Sequence, residues 1–404
     1  MFDILIVGGG MVGASLAVAL KPLKLQVGLI EAFHFGAAEQ PSYDDRSIAL
    51  AYGSSRIYQG MGLWNKLHSG VEAIQHIHIS DQGHFGATRL AAAQEHVPAL
   101  GYVVESRVLG KLLYAELASG EIAQYVPATV FAVQQDADCV IVSIERDEVV
   151  ESLQTRLLVV SDGVNSKVRE MLGIAVTRCE YHQTAVIANV TTAEPHCHTA
   201  YERFTPHGPL ALLPLTQGRY SLVWTHQDAE VAATMQLSDA AFLCKLQAEF
   251  GYRQGEFTRV GQRAAYPLVL QKSVCEVAGR AVVIGNASHA LHPVAGQGLN
   301  LGLRDVATLA DLLAEAVQTG TDPGSATLLS VYEQRRQPDY AAVVQYTDTL
   351  VRVFSNDFAP LGHARAGGLL AVDRVPALRH WITRQSMGLN HRQARLSRGL
   401  GLRV

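Results

Sequence analysis

A glycine-rich turn near the beginning of the chain constrains the fold more than any other feature. The run Gly8-Gly9-Gly10-Met11-Val12-Gly13 follows an apolar stretch, Phe2 to Val7, that is typical of a buried strand. The small residues Ala14 to Leu20 then favour a helix, and a second apolar strand, 27–30, ends at Glu31. A glycine-rich turn between strand and helix, with an acid after the second strand, is typical of a Rossmann-like dinucleotide-binding unit.

The motif glycines and the acid of this unit each have a physical role. Gly8 makes the turn, Gly10 lets the backbone approach a pyrophosphate, and Gly13 allows the helix to pack closely. Glu31 is placed to accept hydrogen bonds from the ribose of an adenosine. The motif does not separate NAD from FAD. The predicted contacts of this unit are Gly8, Gly10, Met11, Val12, Gly13 and Glu31.

A second strand-loop-helix unit lies at 281–313. Ala281 to Ile284 reads as a short buried strand, and Leu299 to Leu313 has the apolar spacing of a helix. The small residues between them let backbone approach a ligand, and the free N–H groups of the helix favour negative charge. An ordinary connection that uses glycine for turning is the simpler alternative.

A third stretch, Asp162-Gly163-Val164-Asn165-Ser166-Lys167-Val168-Arg169, follows the buried strand Leu157 to Ser161. An aspartate at the end of a strand can cap the next turn or accept ribose hydrogen bonds. The pattern D-G-x-x-S-x-V-R, together with the run from His292 to Asp305, resembles the FAD-dependent aromatic hydroxylases of ubiquinone biosynthesis. These belong to the p-hydroxybenzoate-hydroxylase-like flavoprotein monooxygenases.

The resemblance implies where FAD would be held. Loop residues His292 and Pro293 would lie beside the isoalloxazine ring, and the following helix N-terminus would face the N1–C2=O edge of the flavin. Asn286 stands where most relatives have an Asp that bonds the ribityl chain. This change keeps the hydrogen-bonding reach, loses the charge and favours the methoxyphenol branch of the family. The further implied contacts are Asp162, Gly163, Asn286, Pro293, Gly296, Gly298, Leu299 and Asn300.

Two arginines are added by weaker reasoning. The family has an Asp-x-Arg-like stretch at Asp44-Asp45-Arg46, so Arg46 is expected to approach the FAD or the active-site mouth. A solvated turn is the alternative. Arg107, in the first turn of a helix expected from Glu105 to Leu117, would reach the phosphates of the cofactor.

The resemblance also implies the reaction. NAD(P)H reduces the FAD, the reduced flavin captures dioxygen as a C4a-hydroperoxide, and a prenylated (methoxy)phenol receives the distal oxygen. The residues identify no base that would deprotonate the phenol. A sister ring hydroxylase, a non-catalytic flavoprotein scaffold and a flavin reductase or dehydrogenase remain as alternatives.

The expected fold is α/β, with a Rossmann-like FAD-binding domain interleaved with a β-sheet substrate domain. The FAD-binding domain is expected at 1–72, 102–180 and 273–330. The substrate domain is expected at 73–101, as a hairpin, and at 181–272, as a β-rich stretch with a helix from Asp239 to Glu249. C-terminal helices and a basic tail complete the chain at 331–404.

Composition excludes several classes of protein. The net charge of −4 gives no reason to expect nucleic acid, and the five cysteines contain no C-x-x-C pair. The apolar start lacks a basic n-region and contains three consecutive glycines, so a cytoplasmic protein is expected rather than a secreted one. His76 and His78, and the group His196-Cys197-His198, lack an accompanying ligand cluster in the sequence, so no metal is predicted.

The C-terminal tail is basic. From Arg374 onward the chain has seven arginines and no acid, with apolar residues such as Leu378 and Trp381 interleaved. Such a tail suits the anionic inner face of a membrane or an acidic partner, including another ubiquinone-biosynthesis protein. A solvated C-terminus is the alternative. The sequence does not determine the oligomeric state.

Overall fold

The computed structural model describes residues 1–36, 46–291, 296–354, 359–389 and 394–403. Asp44, Asp45, His292, Pro293 and Arg392 therefore lie outside the described residues. No helix of the described ranges is long and apolar enough to cross a membrane.

The described residues contain twenty strands and eleven α-helices. The strands are β1 (Phe2–Val7), β2 (Val27–Ile30), β3 (Ser47–Ala51), β4 (Val71–Ile74), β5 (His76–Asp81), β6 (Ala87–Ala91), β7 (Gly101–Glu105), β8 (Ala123–Tyr125), β9 (Thr129–Gln135), β10 (Val140–Arg146), β11 (Val149–Val160), β12 (Val176–Thr192), β13 (Thr199–Thr205), β14 (Gly208–Leu215), β15 (Arg219–Gln227), β16 (Phe257–Val260), β17 (Ala264–Ser273), β18 (Val277–Ala278), β19 (Ala281–Val283) and β20 (His289–Ala290). The helices are α1 (Met11–Leu20), α2 (Tyr52–Gly60), α3 (Trp64–Leu67), α4 (Ser106–Leu117), α5 (Lys167–Met171), α6 (Asp228–Met235), α7 (Asp239–Phe250), α8 (Gln297–Thr319), α9 (Ala326–Phe354), α10 (Ala359–Arg374) and α11 (Pro376–Ser386).

The first sheet has eight strands, and five of them run parallel in the order β8, β2, β1, β11, β19. Helices α1, α4 and α8 cover one face, where Ile4, Leu109 and Leu313 share one core cluster. On the other face, Leu5 packs with Val142 of β10. Burial on both faces explains why the central parallel segments 4–7, 27–30, 157–160 and 281–283 contain no polar side chain.

The second sheet has nine strands in the order β20, β17, β12, β15, β14, β13, β5, β6, with β16 beside β12. The predicted hairpin between 73 and 101 supplies β5 and β6, and β5 pairs in parallel with β13, more than 100 residues further on. Helix α7 covers the back of this sheet, where Trp224 and Phe242 are buried together. A small third sheet, β3-β7-β4, comes from the residues between β2 and β8, with β5 and β6 of the second sheet inserted between β4 and β7.

Helix α6 is a difference from the sequence expectation, which has only the helix from Asp239 to Glu249 within 181–272. The apolar alternation of β15 ends at Gln227, and Asp228 and Glu230 then occupy the first turn of α6. Acids in the first turn favour a helix because they complement its dipole. Helix α8 is also longer than the predicted 299–313, since it begins at Gln297 and ends at Thr319.

Candidate active site

The candidate site lies where four parallel strands end. Gly8 follows β1, Glu31 follows β2, Ser161 and Asp162 follow β11, and Gly285 and Asn286 follow β19. Residue pairs such as Val7 with Ile30, Val7 with Val160, and Val160 with Val283 put these strand ends side by side. Ligands of open α/β sheets bind at this edge. Topology alone therefore gathers four segments that are far apart in sequence.

The glycine-rich turn is packed against its neighbours. Gly8 has a φ of +98°, and a Cβ there would lie 2.7 Å from the Cα of Asp162. A Cβ at Gly13 would overlap the carbonyl oxygen of Gly8 and lie 2.5 Å from the Ser161 Oγ. Both glycines thus serve the turn and the approach of α1. Gly8, Gly10, Met11 and Val12 line the cavity described below, whereas Gly13 supports them from behind.

Glu31 is held in place by the backbone. Its Oε2 accepts a hydrogen bond from the Gly9 N–H at 2.6 Å, and its Oε1 accepts one from the Phe33 N–H at 3.0 Å. Burial raises the pKa of this carboxyl despite those two donors. The side chain lines the cavity, where ribose hydroxyls of a bound nucleotide would add the donors that a buried carboxylate requires.

Asp162 presents a buried hydrogen-bond acceptor that a cofactor could use. Its Oδ1 is buried and, among the described residues, has no hydrogen-bond donor. Burial raises the pKa of its carboxyl. The next residue, Gly163, has a φ of +94° and lies beside open space in which a Cβ would meet no atom within 4 Å. A buried acceptor without a donor, next to open space, fits the hydroxyl groups of FAD.

The start of α8 forms the opposite wall. Gly296, Gln297, Gly298 and Leu299 line the cavity, and a Cβ at Gly298 would meet no atom within 4 Å. The exposed Asn286 side chain also faces the cavity. The first N–H groups of α8 have no partner within the helix, so this wall favours a negatively charged ligand edge.

The Asn300 side chain is hydrogen-bonded to three backbone groups of the protein. Its Oδ1 accepts from the Ala51 N–H at 2.8 Å, and its Nδ2 donates to the carbonyl oxygens of Ala49 and Gly296 at 2.8 and 2.6 Å. The buried amide therefore joins β3 to the first turn of α8. It positions the cavity wall, although it also lines it.

The two predicted arginines are placed differently. Arg46 lines the cavity, with its guanidinium 4.7 Å from the centre of the Tyr266 ring. Arg107 is not among the cavity-lining residues, because it points towards Glu105, to which its Nη2 donates at 2.9 Å. About half of the Arg107 side chain is exposed. The structure thus brings Arg46, but not Arg107, to the other predicted residues.

A single cavity of about 1470 Å³ connects these walls with the second sheet. Pockets for one small ligand span about 300–1000 Å³, so the volume suits a cofactor and a second ligand. Alternate residues of five neighbouring strands form an apolar wall: Ile77, Ile79, Leu90, Ala200, Phe204, Pro209, Ala211, Leu213 and Val223. The cavity then continues along α10 and α11, past Leu369, Val372, Leu378 and Ile382.

The polar cavity residues that sequence reasoning missed include Glu202, Tyr346 and Arg365. A lone acid at an inward position of the alternating strand 199–205 is the signal that would have identified Glu202. Tyr346 and Arg365 lie on helices far along the chain. Only the tertiary structure relates them to the sheet.

One group of side chains could be taken for a metal site. Glu72, His196 and His198 bring ligand atoms within 4.8 Å of one another, which the sequence did not predict. Their atoms are already hydrogen-bonded: His196 Nε2 donates to the Leu215 carbonyl at 3.1 Å, and its Nδ1 accepts from the His198 N–H at 3.1 Å. His198 Nδ1 lies 2.7 Å from a Glu72 oxygen. These bonds explain the cluster without an ion.

Comparisons with known proteins agree with this geometry. A family model described as FAD binding domain matches residues 1–347. Ubiquinone hydroxylase UbiL of Rhodospirillum rubrum is 38% identical over 404 residues, covering 99% of this chain and 93% of that protein. The 3-demethoxyubiquinol 3-hydroxylase of Escherichia coli is 31% identical, covering 96% of this chain and 98% of that protein. The crystal structure of p-nitrophenol 4-monooxygenase PnpA from Pseudomonas putida is similar in fold, with a TM-score of 0.80 at 18% identity over 98% of this chain and 99% of that one.

Proposed function

Because this chain belongs to the family of FAD-binding flavoprotein monooxygenases that includes the ubiquinone hydroxylases, we propose that it hydroxylates the ring of a prenylated phenol. The observation that carries the proposal is the continuous cavity from the parallel-strand edge to the apolar second sheet and α11. The strand edge suits FAD, the sheet suits an aromatic ring, and the apolar extension suits an isoprenoid tail.

Different residues would hold different parts of FAD. Gly8, Gly10 and the start of α1 would receive the pyrophosphate, while Glu31 and Asp162 would accept hydrogen bonds from hydroxyl groups of the cofactor. Asn286 and the N-terminus of α8 would face the flavin. When bound and reduced, here by NAD(P)H, FAD supplies the activation of dioxygen for transfer to an electron-rich ring.

The protein itself orients the ring and excludes water. Asn300 fixes the start of α8 against β3, so the wall facing the flavin is preorganised. The apolar face of the second sheet closes the opposite side and keeps bulk water from the reacting atoms.

The direct test uses purified protein with FAD, NADPH, isotopically labelled dioxygen and a short-chain prenyl methoxyphenol, followed by mass spectrometry. We expect one labelled oxygen in a new ring hydroxyl, and its position identifies the ring carbon. Flavin that binds and is reduced without giving labelled product, with partner proteins added or omitted, would contradict the proposal and favour a non-catalytic scaffold.

Membrane contact is a further part of the proposal. Leu378 and Ile382 of α11 line the cavity, and the neighbouring Trp381 side chain is 56% exposed. Arg379 and Arg384 lie on the same helix. An apolar cavity end beside an exposed tryptophan and two partly buried arginines suits the transfer of a prenylated substrate from an anionic bilayer surface.

A further inference from the structure

Glu202 is an acid on a mostly apolar wall of the cavity. It lies on β13, where it is paired with Ile79 of β5 and Ala211 of β14, which in turn pair with Thr88 and Val223. Paired residues of neighbouring strands share a face, so all five belong to one row across the sheet. All five line the cavity. Glu202 is the single ionisable member of this row.

Among the residues that the structure describes, none is a partner of the Glu202 carboxylate. Within the described ranges, no donor makes a hydrogen bond or ion pair with it, although the side chain is accessible from the cavity. An acid in an apolar wall without a partner raises the free energy of the folded state, because its charged form loses hydration. Such a group is retained at a cost, which indicates that its partner is a ligand.

The charged groups nearby do not neutralise it. Arg365 of α10 lines the same cavity, but its Nε donates to Asp81 Oδ2 at 3.0 Å, and both side chains are buried. Arg203, the next residue of β13, donates from its Nε to the Glu249 carbonyl at 2.9 Å. Tyr346 of α9 also faces the cavity. Burial, and to a lesser extent the Glu202 charge, raises the pKa of its hydroxyl to about 12.

The ionisation of Glu202 suits proton transfer near neutral pH. Burial raises the pKa of its carboxyl to about 7. A general base works best when its pKa lies near the working pH, because the basic form is then populated and still accepts a proton. The neutral Tyr346 hydroxyl can donate a hydrogen bond to the same ligand.

We propose that Glu202 is the general base that removes the proton from the phenol hydroxyl of the substrate. The O–H bond breaks, the proton binds to a Glu202 carboxylate oxygen, and the electron pair stays on the phenolate oxygen, from which it enriches the ring. Glu202 gives the proton to water before the next substrate binds. This role rests on the proposed aromatic hydroxylation, for which an electron-rich ring is the reactive form.

The first test follows the proton without turnover. A short-chain prenyl methoxyphenol is added to the oxidised, FAD-loaded protein at pH 7.5, and infrared and ultraviolet difference spectra are recorded. We expect a carboxylic-acid C=O band and a phenolate band to appear together in the wild type, and both to be absent in Glu202→Gln. A wild type that shows neither band would overturn the assignment, as would a Glu202→Gln protein that keeps the phenolate band.

The second test is kinetic. Glu202→Gln should lower the turnover of ring hydroxylation about 10²- to 10⁴-fold, with FAD content and KM little changed, and should lose the acidic limb of the pH profile. Glu202→Asp should recover part of the rate. The matched control is Glu180→Gln, which changes an exposed glutamate of β12 and should behave as wild type. An unchanged pH profile in Glu202→Gln would contradict the proposal.

The proposed ring hydroxylation and the proposed role of Glu202 can each be refuted without the other. Paired phenolate and carboxylic-acid bands without labelled ring product would overturn the monooxygenase function and leave Glu202 as the proton acceptor. Labelled product without those bands would retain the function and exclude Glu202.

Discussion

At the scale of single residues, the glycines of the two predicted cofactor-binding motifs serve different purposes. Gly8 and Gly13 are required by the protein itself, because a side chain at Gly8 would overlap the backbone of Ser161 and Asp162, and one at Gly13 would overlap the carbonyl oxygen of Gly8. Gly298 faces the cavity, and among the described residues no atom lies within 4 Å of the position of a Cβ. We therefore propose that the space beside Gly298 is filled by a ligand. The two motifs mark all three positions alike, and only the packing separates them.

Gly298→Asp should therefore leave the fold intact and abolish FAD binding or reduction, because it adds bulk and charge where the flavin would approach. Flavin content by absorbance and the melting temperature of the apoprotein would measure the two effects. Gly367→Asp is the control, since a side chain there meets no protein atom within 4 Å and the residue does not line the cavity. Full flavin occupancy and activity in Gly298→Asp would refute the assignment.

At the scale of elements, a buried ionic network fixes the turn after β19 to α8 and α9. Asp305 of α8 accepts hydrogen bonds from the Gly285 N–H at 3.0 Å, Arg336 Nε at 2.8 Å and the Tyr340 hydroxyl at 2.7 Å. Arg336 also pairs with Asp339. Since Gly285 precedes Asn286, the network holds the segment that presents Asn286 to the cavity.

Asp305→Asn should lower the free energy of unfolding by about 3–5 kcal/mol, because Arg336 would remain buried with one carboxylate fewer. Urea unfolding followed by circular dichroism would measure the loss. The exposed pair Arg178–Glu180 gives a control, and Glu180→Ala should cost less than about 1 kcal/mol. Equal losses in the two variants would show that the network adds nothing beyond a surface pair.

The same network predicts a pH dependence. Burial alone would raise the pKa of Asp305, but Arg336 and His289 outweigh it and hold the pKa below its ordinary value of 3.8. A lowered folded-state pKa stabilises the fold above the unfolded-state pKa, and this stabilisation is lost as pH falls through the folded-state value. The stability difference between wild type and Asp305→Asn should thus be full at pH 6 and shrink below about pH 4. A pH-independent difference from pH 6 to pH 2 would exclude this linkage.

At the scale of the whole molecule, α10 and α11 complete the cavity begun by the two sheets. Helix α10 is tied to the β5–β6 hairpin by the buried Arg365–Asp81 pair and by the Thr88 hydroxyl, which donates to the Leu369 carbonyl at 2.8 Å. The apolar end of the cavity therefore depends on contacts between residues that are more than 250 positions apart in the chain, in the β5–β6 hairpin and in α10.

Trp381→Ser should weaken binding to anionic phospholipid vesicles about 10- to 100-fold, the effect expected from about 1.5–3 kcal/mol of lost aromatic burial. Co-sedimentation with anionic and with neutral vesicles would measure it, and the anionic vesicles should bind more wild-type protein. Tyr252→Ser removes another exposed aromatic side chain, remote in sequence from α11, and serves as the control. Equal vesicle binding by the Trp381→Ser protein and the wild type would contradict membrane contact through α11.

The sequence by itself determined the strand-turn-helix unit at the start, the helix α8 after its glycine-rich loop, and the family. These features depend on local periodicity and on residues that are close in the chain, such as Gly8 to Gly13. The tertiary structure decided which of those residues share one cavity. It gathered Glu31, Asp162 and Asn286 at one sheet edge, turned Arg107 towards Glu105, and used Asn300 to join β3 to α8. The alternation of 199–205 marks Glu202 as a lone acid, but only the pairing of β5, β13 and β14 puts it on the cavity wall, because the burial of a strand residue depends on neighbours that its own sequence does not specify.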